Sequence, residues 1–220
     1  MNSQTQKITL QGEAGVIDAL RDEPEGASRG VAIVAHPHPL FGGTMQNKVV
    51  QTLARAFVQC GWQAVRFNFR GVGASEGAYD EGRGELQDLL AVVAHSRAHA
   101  GAPGGVAPLA LAGFSFGAFV TSQAVAALGP EQAPQALVLV GTATTRFAVA
   151  PVPPELHART LVLHGEQDDT VPLADVLTWA RPQTLPVTVV PGVAHFFHGQ
   201  LPLLRSLAVR HLTAVAASDA

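Results

Sequence analysis

The sequence predicts an α/β fold built around a mainly parallel β-sheet, and three observations lead there. Short, continuous apolar runs alternate along the chain with segments whose apolar residues recur at helical spacing. The runs have no polar alternate face, so each is expected to be covered on both sides, as parallel strands between helices are. Charged residues make up only 14% of the chain against 47% hydrophobic, a balance that fits a large buried core. At 220 residues, with no internal repeat, low-complexity tract or shift in composition, the chain reads as one domain, 1–220.

Residues 7–10 and 16–20 are expected to be short strands joined through Gly12-Glu13-Ala14-Gly15 as an antiparallel hairpin. A charged Pro/Gly/Ser loop over 21–30 leads to a buried strand at 31–35 and then to His36-Pro37-His38-Pro39-Leu40-Phe41-Gly42-Gly43, a stiff stretch followed by a permissive one. Over 47–60, Val50, Leu53, Ala54, Phe57 and Val58 fall at helical spacing, and Gly61 stops the helix. A strand at 62–69 runs into Arg70-Gly71-Val72-Gly73-Ala74-Ser75-Glu76-Gly77, a loop by its glycines. Leu86, Leu89, Leu90 and Val93 share one face of a helix at 85–100, and a loop at 101–108 follows. The apolar run from Leu109 is the central strand, followed by a helix-like segment at 119–128. Strands at 136–140 and 160–163, a short helix at 173–180, a strand at 187–190 and a helix at 201–217 complete the alternation.

Composition narrows the functional classes. A net charge of −3, with Lys7 and Lys48 the only lysines, leaves no basic footprint for nucleic acid. Cys60 is the single cysteine, so neither a disulfide framework nor a thiolate metal cluster is available. No apolar run approaches the length of a membrane span, and the first residues lack the apolar core of a signal peptide. The expectation is a soluble cytoplasmic protein, a monomer, with no cofactor, no metal, no nucleic-acid partner and no membrane insertion.

The stretch around which the chain is organised is Leu109-Ala-Leu-Ala-Gly-Phe-Ser-Phe-Gly-Ala118. A strand that turns abruptly into a helix through Gly113-Phe114-Ser115-Phe116-Gly117 holds a serine hydroxyl clear of the sheet, and glycines on both flanks remove the side chains that would obstruct so sharp a turn. The same turn aims the first free helical N–H groups, beginning with Phe116, at the serine oxygen. In an open parallel sheet, functional groups collect on loops at the carboxyl ends of strands. That rule selects the 36–43 loop, the 70–77 loop, the serine turn, and two late segments. One of these is His164-Gly-Glu-Gln-Asp-Asp-Thr-Val-Pro172 and the other Pro191-Gly-Val-Ala-His-Phe-Phe-His-Gly199, so the chain order is Ser, Asp, His. The glycines of 70–77 do not fall in the frame of a dinucleotide fingerprint, and Arg70 is expected in an ion pair beside the site. His36 and His38 lack a third ligand at metal-site spacing; one is expected to hold its loop by hydrogen bonds and the other to pack.

Taken together, His-Pro-His-Pro-Leu-Phe-Gly-Gly-Thr-Met, Phe-Asn-Phe-Arg-Gly-Val-Gly-Ala-Ser-Glu-Gly, Gly-Phe-Ser-Phe-Gly and His-Gly-Glu-Gln-Asp-Asp-Thr-Val-Pro resemble the α/β-hydrolase superfamily, specifically its small dienelactone-hydrolase-like serine hydrolases. The resemblance implies a mostly parallel, twisted sheet of about eight strands with helices on both faces and a Ser-Asp-His triad. On this pattern Ser115 is the nucleophile, Asp168 the acid and His195 the base, with Asp169 and His198 as their rivals and His164 a buried, hydrogen-bonded residue of the strand end. His195 would take the serine proton and return it to the leaving group, while Asp168 fixes the imidazole tautomer. The first oxyanion donor is expected to be the backbone N–H of Phe116; for the second, Pro37 and Pro39 have none to offer, which leaves His38, Leu40 and Phe41, and Leu40 is favoured by alignment with the corresponding loop of these relatives.

Residues 141–159 are too few to build a cap domain, so the site is expected to be open and lidless, rimmed by a subset of Phe41, Phe114, Phe116, Phe147, Phe196 and Phe197. An open site suits a small-molecule ester. The reaction expected is cleavage of small carboxylic esters through an acyl-serine. A thioesterase, lactonase or small peptidase on the same triad is the alternative, and a non-catalytic binding or sensor protein of this fold the alternative of another class. Ser115, where dienelactone hydrolases proper use cysteine, counts against that specific activity.

Overall fold

The structure, a computed structural model, describes residues 5–100 and 106–218. One eight-stranded sheet organises them, in the order β1-β2-β4-β3-β5-β6-β7-β8. β1 (Gln6–Gly12) and β2 (Gly15–Asp22) form the hairpin that the sequence suggests, closed tightly at Gly12↔Gly15, and β2 pairs antiparallel with β4 (Gln63–Phe67). From there the sheet is parallel through β3 (Val31–Ala35), β5 (Leu109–Phe114), β6 (Ala136–Val140), β7 (Thr160–Gly165) and β8 (Val187–Val190).

The central strands show why charge is scarce. In β5, Leu109 and Leu111 face one apolar cluster while Ala110, Ala112 and Phe114 face another, and β3 and β6 divide in the same way. Successive side chains of a strand point to opposite faces, so a strand covered twice must be apolar throughout. The first face is covered by α2 (Arg83–His99), α3 (Phe116–Leu128) and α4 (Leu173–Ala180), and the second by α1 (Lys48–Gln59) and α5 (Leu201–Ser218).

Several boundaries differ from the sequence expectation, three of them for a local reason. β4 ends at Phe67 rather than residue 69: the Asn68 N–H still reaches Asp18 O of β2, but that of Phe69 turns away to the His36 ring. α2 begins at Arg83, where the Glu85 carboxylate accepts the N–H groups of Asp80 and Gly82 and so satisfies donors that the helix leaves free. α3 begins at Phe116, directly after Ser115, so no linker separates the serine from the helix. The loop expected over 101–108 lies, for 101–105, outside the described residues.

From β3 the chain crosses to β4 on one side and then returns to β5 on the other, so the loops after β3 and β5 open at the point where the strand order reverses. In open parallel sheets this crevice is where ligands bind. Residues 141–159, which follow β6, contain only a 3-10 turn at Pro154–Arg159, and among the described residues no lid covers the crevice.

Candidate active site

Ser115 sits at φ 57° and ψ −118°, in a region that residues with a Cβ rarely enter. Close packing enforces this conformation. A Cβ on Gly113 would lie 2.3 Å from Gly117 O, and one on Gly117 would lie 2.4 Å from Ala35 O. Both glycines are therefore required for β5 and α3 to fold back on each other against the end of β3. The Ser115 N–H donates to Val140 O at 2.9 Å, tying the turn to the neighbouring strand. Among the described residues the N–H groups of Phe116 and Gly117 have no acceptor, as expected at the first turn of a helix.

Asp168 and His195 come together across the ends of β7 and β8. The Asp168 carboxylate is buried and held at both oxygens: Oδ1 accepts from the N–H groups of Thr170 and Val171 at 3.0 and 2.7 Å, and Oδ2 accepts from His195 Nδ1 at 2.6 Å. A donor at Nδ1 leaves Nε2 as the basic nitrogen of a neutral ring. The imidazole is wedged between Phe114, with centroids 4.8 Å apart, and the edge of Phe196 at 5.1 Å. Gly141 presses on the same ring, since a Cβ there would lie 3.0 Å from His195 Cε1. Gly141 follows Val140, the residue that holds the Ser115 N–H, so both Ser115 and His195 lie beside the end of β6. Among the described residues no hydrogen bond joins the two side chains; such contacts are commonly long in free enzymes.

The rival residues lie elsewhere. Asp169 is exposed and accepts only from Thr170 Oγ1, at 3.4 Å. His198 is exposed and packs on Phe196. His164 is wholly buried; its Nε2–H donates to Val171 O at 2.9 Å and lies 3.5 Å from Asp168 Oδ2, while Nδ1 has no partner among the described residues. Burial holds its pKa below the usual histidine value. It clamps from below the loop that carries the acid.

The 36–43 loop divides its histidines as the sequence suggests. His36 is buried, donates from Nδ1 to Pro37 O at 2.6 Å and accepts the Phe69 N–H on Nε2 at 3.0 Å, and burial lowers its pKa to about 4. With both nitrogens engaged it has no lone pair for a metal. His38 packs among Phe41, Tyr79, Phe116 and Phe147, with Tyr79 Oη 3.2 Å from its Nε2. Its Nδ1 accepts the Leu40 N–H at 3.2 Å, so the N–H expected to serve the oxyanion is engaged here by a ring nitrogen. The His38 N–H itself has no acceptor among the described residues, and nothing in the local sequence distinguishes the two.

Of the six phenylalanines expected at the rim, Phe114, Phe116 and Phe197 are core. Phe41 is 73% exposed, Phe196 43%, and Phe147 is half-buried, stacked on Phe119. Two rim residues go unnoticed in the sequence: Tyr79, which reaches His38 from the far side of the 70–77 loop, and Arg146, whose guanidinium lies 5.8 Å over the Phe41 ring. Neither belongs to a motif. Arg70 is paired as expected, with bonds from its side chain to both oxygens of Asp88.

Comparison with known proteins places this geometry among relatives. A family model described as serine aminopeptidase, S33, matches residues 28–153. An α/β serine hydrolase without a lid from Xanthomonas campestris is 38% identical, with 97% of this chain and 96% of that one superposed at a TM-score of 0.85. An α/β serine hydrolase homologue from Coxiella burnetii is 37% identical over 94% of this chain and 97% of that one, with a TM-score of 0.79. An uncharacterized protein of Rickettsia prowazekii is 39% identical over 119 residues, which are 54% of this chain and 49% of that protein, so the chain spans about half the length of this curated relative.

Proposed function

The chain belongs to the serine aminopeptidase S33 family of α/β-hydrolases, and from that premise we propose that it is a carboxylesterase-like serine hydrolase in which Ser115, His195 and Asp168 cleave small carboxylic esters. The observation that carries the reading is the 2.6 Å bond from His195 Nδ1 to a fully anchored carboxylate, beside a serine in a strained strand-to-helix turn.

The chemistry follows from these positions. His195 Nε2 removes the Ser115 hydroxyl proton as Oγ bonds to the ester carbonyl carbon, and the carbonyl electron pair moves onto oxygen. The resulting oxyanion is met by the Phe116 N–H and by a donor from the 36–43 loop. We assign the second place to the His38 N–H, which has no acceptor among the described residues, rather than to Leu40, whose N–H would first have to leave His38 Nδ1. Collapse of the intermediate breaks the bond to the alcohol oxygen, which takes the proton from His195. Water, deprotonated by the same nitrogen, then cleaves the acyl-serine and releases the acid. Asp168 stabilises the imidazolium formed in each half and prevents the ring from flipping. No cofactor enters these steps. The setting we assign is a cytoplasmic monomer acting on a small molecule; among the described residues no helix is long and apolar enough to cross a membrane.

The test is labelling of the intact protein with a small fluorophosphonate, mapped by mass spectrometry, together with turnover of short p-nitrophenyl esters. A single adduct on Ser115, lost in His195→Ala, with turnover reduced at least about 10³-fold in Ser115→Ala, is the expected result. Equal ester turnover by wild type and Ser115→Ala would end the proposal. A folded protein that takes no label would favour the non-catalytic reading. The family's description keeps a peptidase reading in view, and faster Ser115-dependent cleavage of aminoacyl p-nitroanilides than of the matched esters would favour it.

A further inference from the structure

The segment that leaves β6 beside the catalytic histidine also delivers a cation to the mouth of the site. Gly141 touches the His195 ring, and Phe147 packs against Phe116 at 5.2 Å and His38 at 5.9 Å between centroids. Arg146, next to Phe147, projects to the surface over Phe41, whose ring is 4.7 Å from His38. The guanidinium is close enough to His38 to contribute to the lowering of that ring's pKa, after the larger effect of burial. Among the described residues no carboxylate lies within ion-pair distance of Arg146: nearby Asp175 accepts from Thr145 Oγ1 instead. The same segment carries Thr142 and Thr144, whose buried hydroxyls have no partner among the described residues. Buried polar groups in that state are normally met by water or by a ligand.

We propose that Arg146, held on the exposed face of Phe41, is the anion-recognition element of this site, and that the preferred substrates are esters carrying a carboxylate next to a flat apolar group. The proposal rests on the esterase reading for the reaction but not for the binding. A guanidinium pairs with a carboxylate through two parallel N–H donors, and one stacked on an aromatic ring is already oriented and partly shielded from water. The exposed Phe41 and Leu40, at 73% and 67%, supply the apolar surface beside it. The same cation repels a free α-ammonium group, which sets this mouth against aminopeptidase substrates.

The experiment compares wild type with Arg146→Gln and Arg146→Glu on three isosteric aryl acetates: para-acetoxybenzoate, para-acetoxybenzamide and para-acetoxyphenyl-trimethylammonium. The mono-p-nitrophenyl ester of adipic acid, against p-nitrophenyl valerate, moves the carboxylate to the acyl side. Comparing each substrate between variants cancels its intrinsic reactivity. Arg146→Gln should raise KM for the anionic member of at least one set about 5- to 10-fold more than for the neutral one, with kcat changed far less, and Arg146→Glu should move the preference towards the cation. In parallel, Ser115→Ala protein is titrated calorimetrically with para-acetoxybenzoate, with and without Arg146→Gln. Equal effects on all charges, in both turnover and binding, would overturn the anion site while leaving the esterase reading intact. Arg146-dependent binding without Ser115-dependent turnover would leave the anion site standing and end the esterase reading.

Discussion

At the scale of single residues, the decisive contrast is between two adjacent carboxylates. Asp168 has four contacts that order it: two backbone N–H donors, the His195 ring and the nearby Nε2 of His164. Asp169 has a long bond to a neighbouring hydroxyl. Asp168→Asn should therefore lower kcat/KM by about 10²- to 10⁴-fold, because an amide can offer His195 the wrong hydrogen-bonding partner, whereas Asp169→Asn should stay within about twofold. Steady-state turnover of a short p-nitrophenyl ester ranks them, and the reverse order would move the acid to Asp169. His164 makes a separate prediction. Its replacement by Phe leaves Val171 O buried without a donor, a loss of about 1–3 kcal/mol in a urea titration, even though the residue never touches substrate.

At the scale of elements, the site depends on how closely backbone segments approach. Gly117→Ala places a methyl group against the carbonyls of Ala35 and His36, backbone that cannot swing aside. The expected cost is about 3 kcal/mol or more, together with loss of fluorophosphonate labelling as the end of β3 is pushed from α3. Labelling at the wild-type rate in a protein of unchanged stability would show that the turn is looser than its geometry. On the neighbouring loop, the half-buried Arg70 and the buried Asp88 make a pair that ties residues 70–77 to α2. Asp88→Ala removes the acceptor of the Arg70 N–H and guanidinium and should cost about 1–3 kcal/mol by chemical denaturation. Ser115, Asp168 and His195 are untouched by that change, so on the proposed function the surviving folded fraction should turn over ester normally.

At the scale of the whole molecule, several histidines are buried in neutral form, and this couples stability to pH. Burial brings His36 down to about 4 and also lowers His38, His164 and His211 below the ordinary value. A depressed base holds fewer protons folded than unfolded, so its stabilisation is complete above the unfolded pKa and is lost as pH falls through the window down to the folded one. For His36 that window runs from 6.5 to about 4, with an upper limit of about 3 kcal/mol. Urea midpoints at about pH 7.5 and about pH 5 should show the protein weaker at the lower pH, with a flatter dependence in His36→Gln. Greater stability at the lower pH would contradict the neutral burial of these rings.

Much of this was legible in the sequence because it depends on neighbours along the chain. Apolar runs mark strands covered on both faces, glycines flanking a serine mark a sharp turn, and Gly61 marks the end of the helix before it. The order Ser115, Asp168, His195 along successive strand ends belongs to the same class of information. What only the tertiary structure decided depends on approach between distant segments. Burial separates Phe114 and Phe197 from Phe41, a ring nitrogen occupies the N–H of Leu40 and leaves that of His38 free, and Arg146 reaches the mouth of the site over a ring more than a hundred residues away. A local pattern records the backbone conformation and the face a residue buries. It does not record which donors are already satisfied across the fold or where a long side chain finds its partner, because those energies arise only once the sheet has brought the loops together.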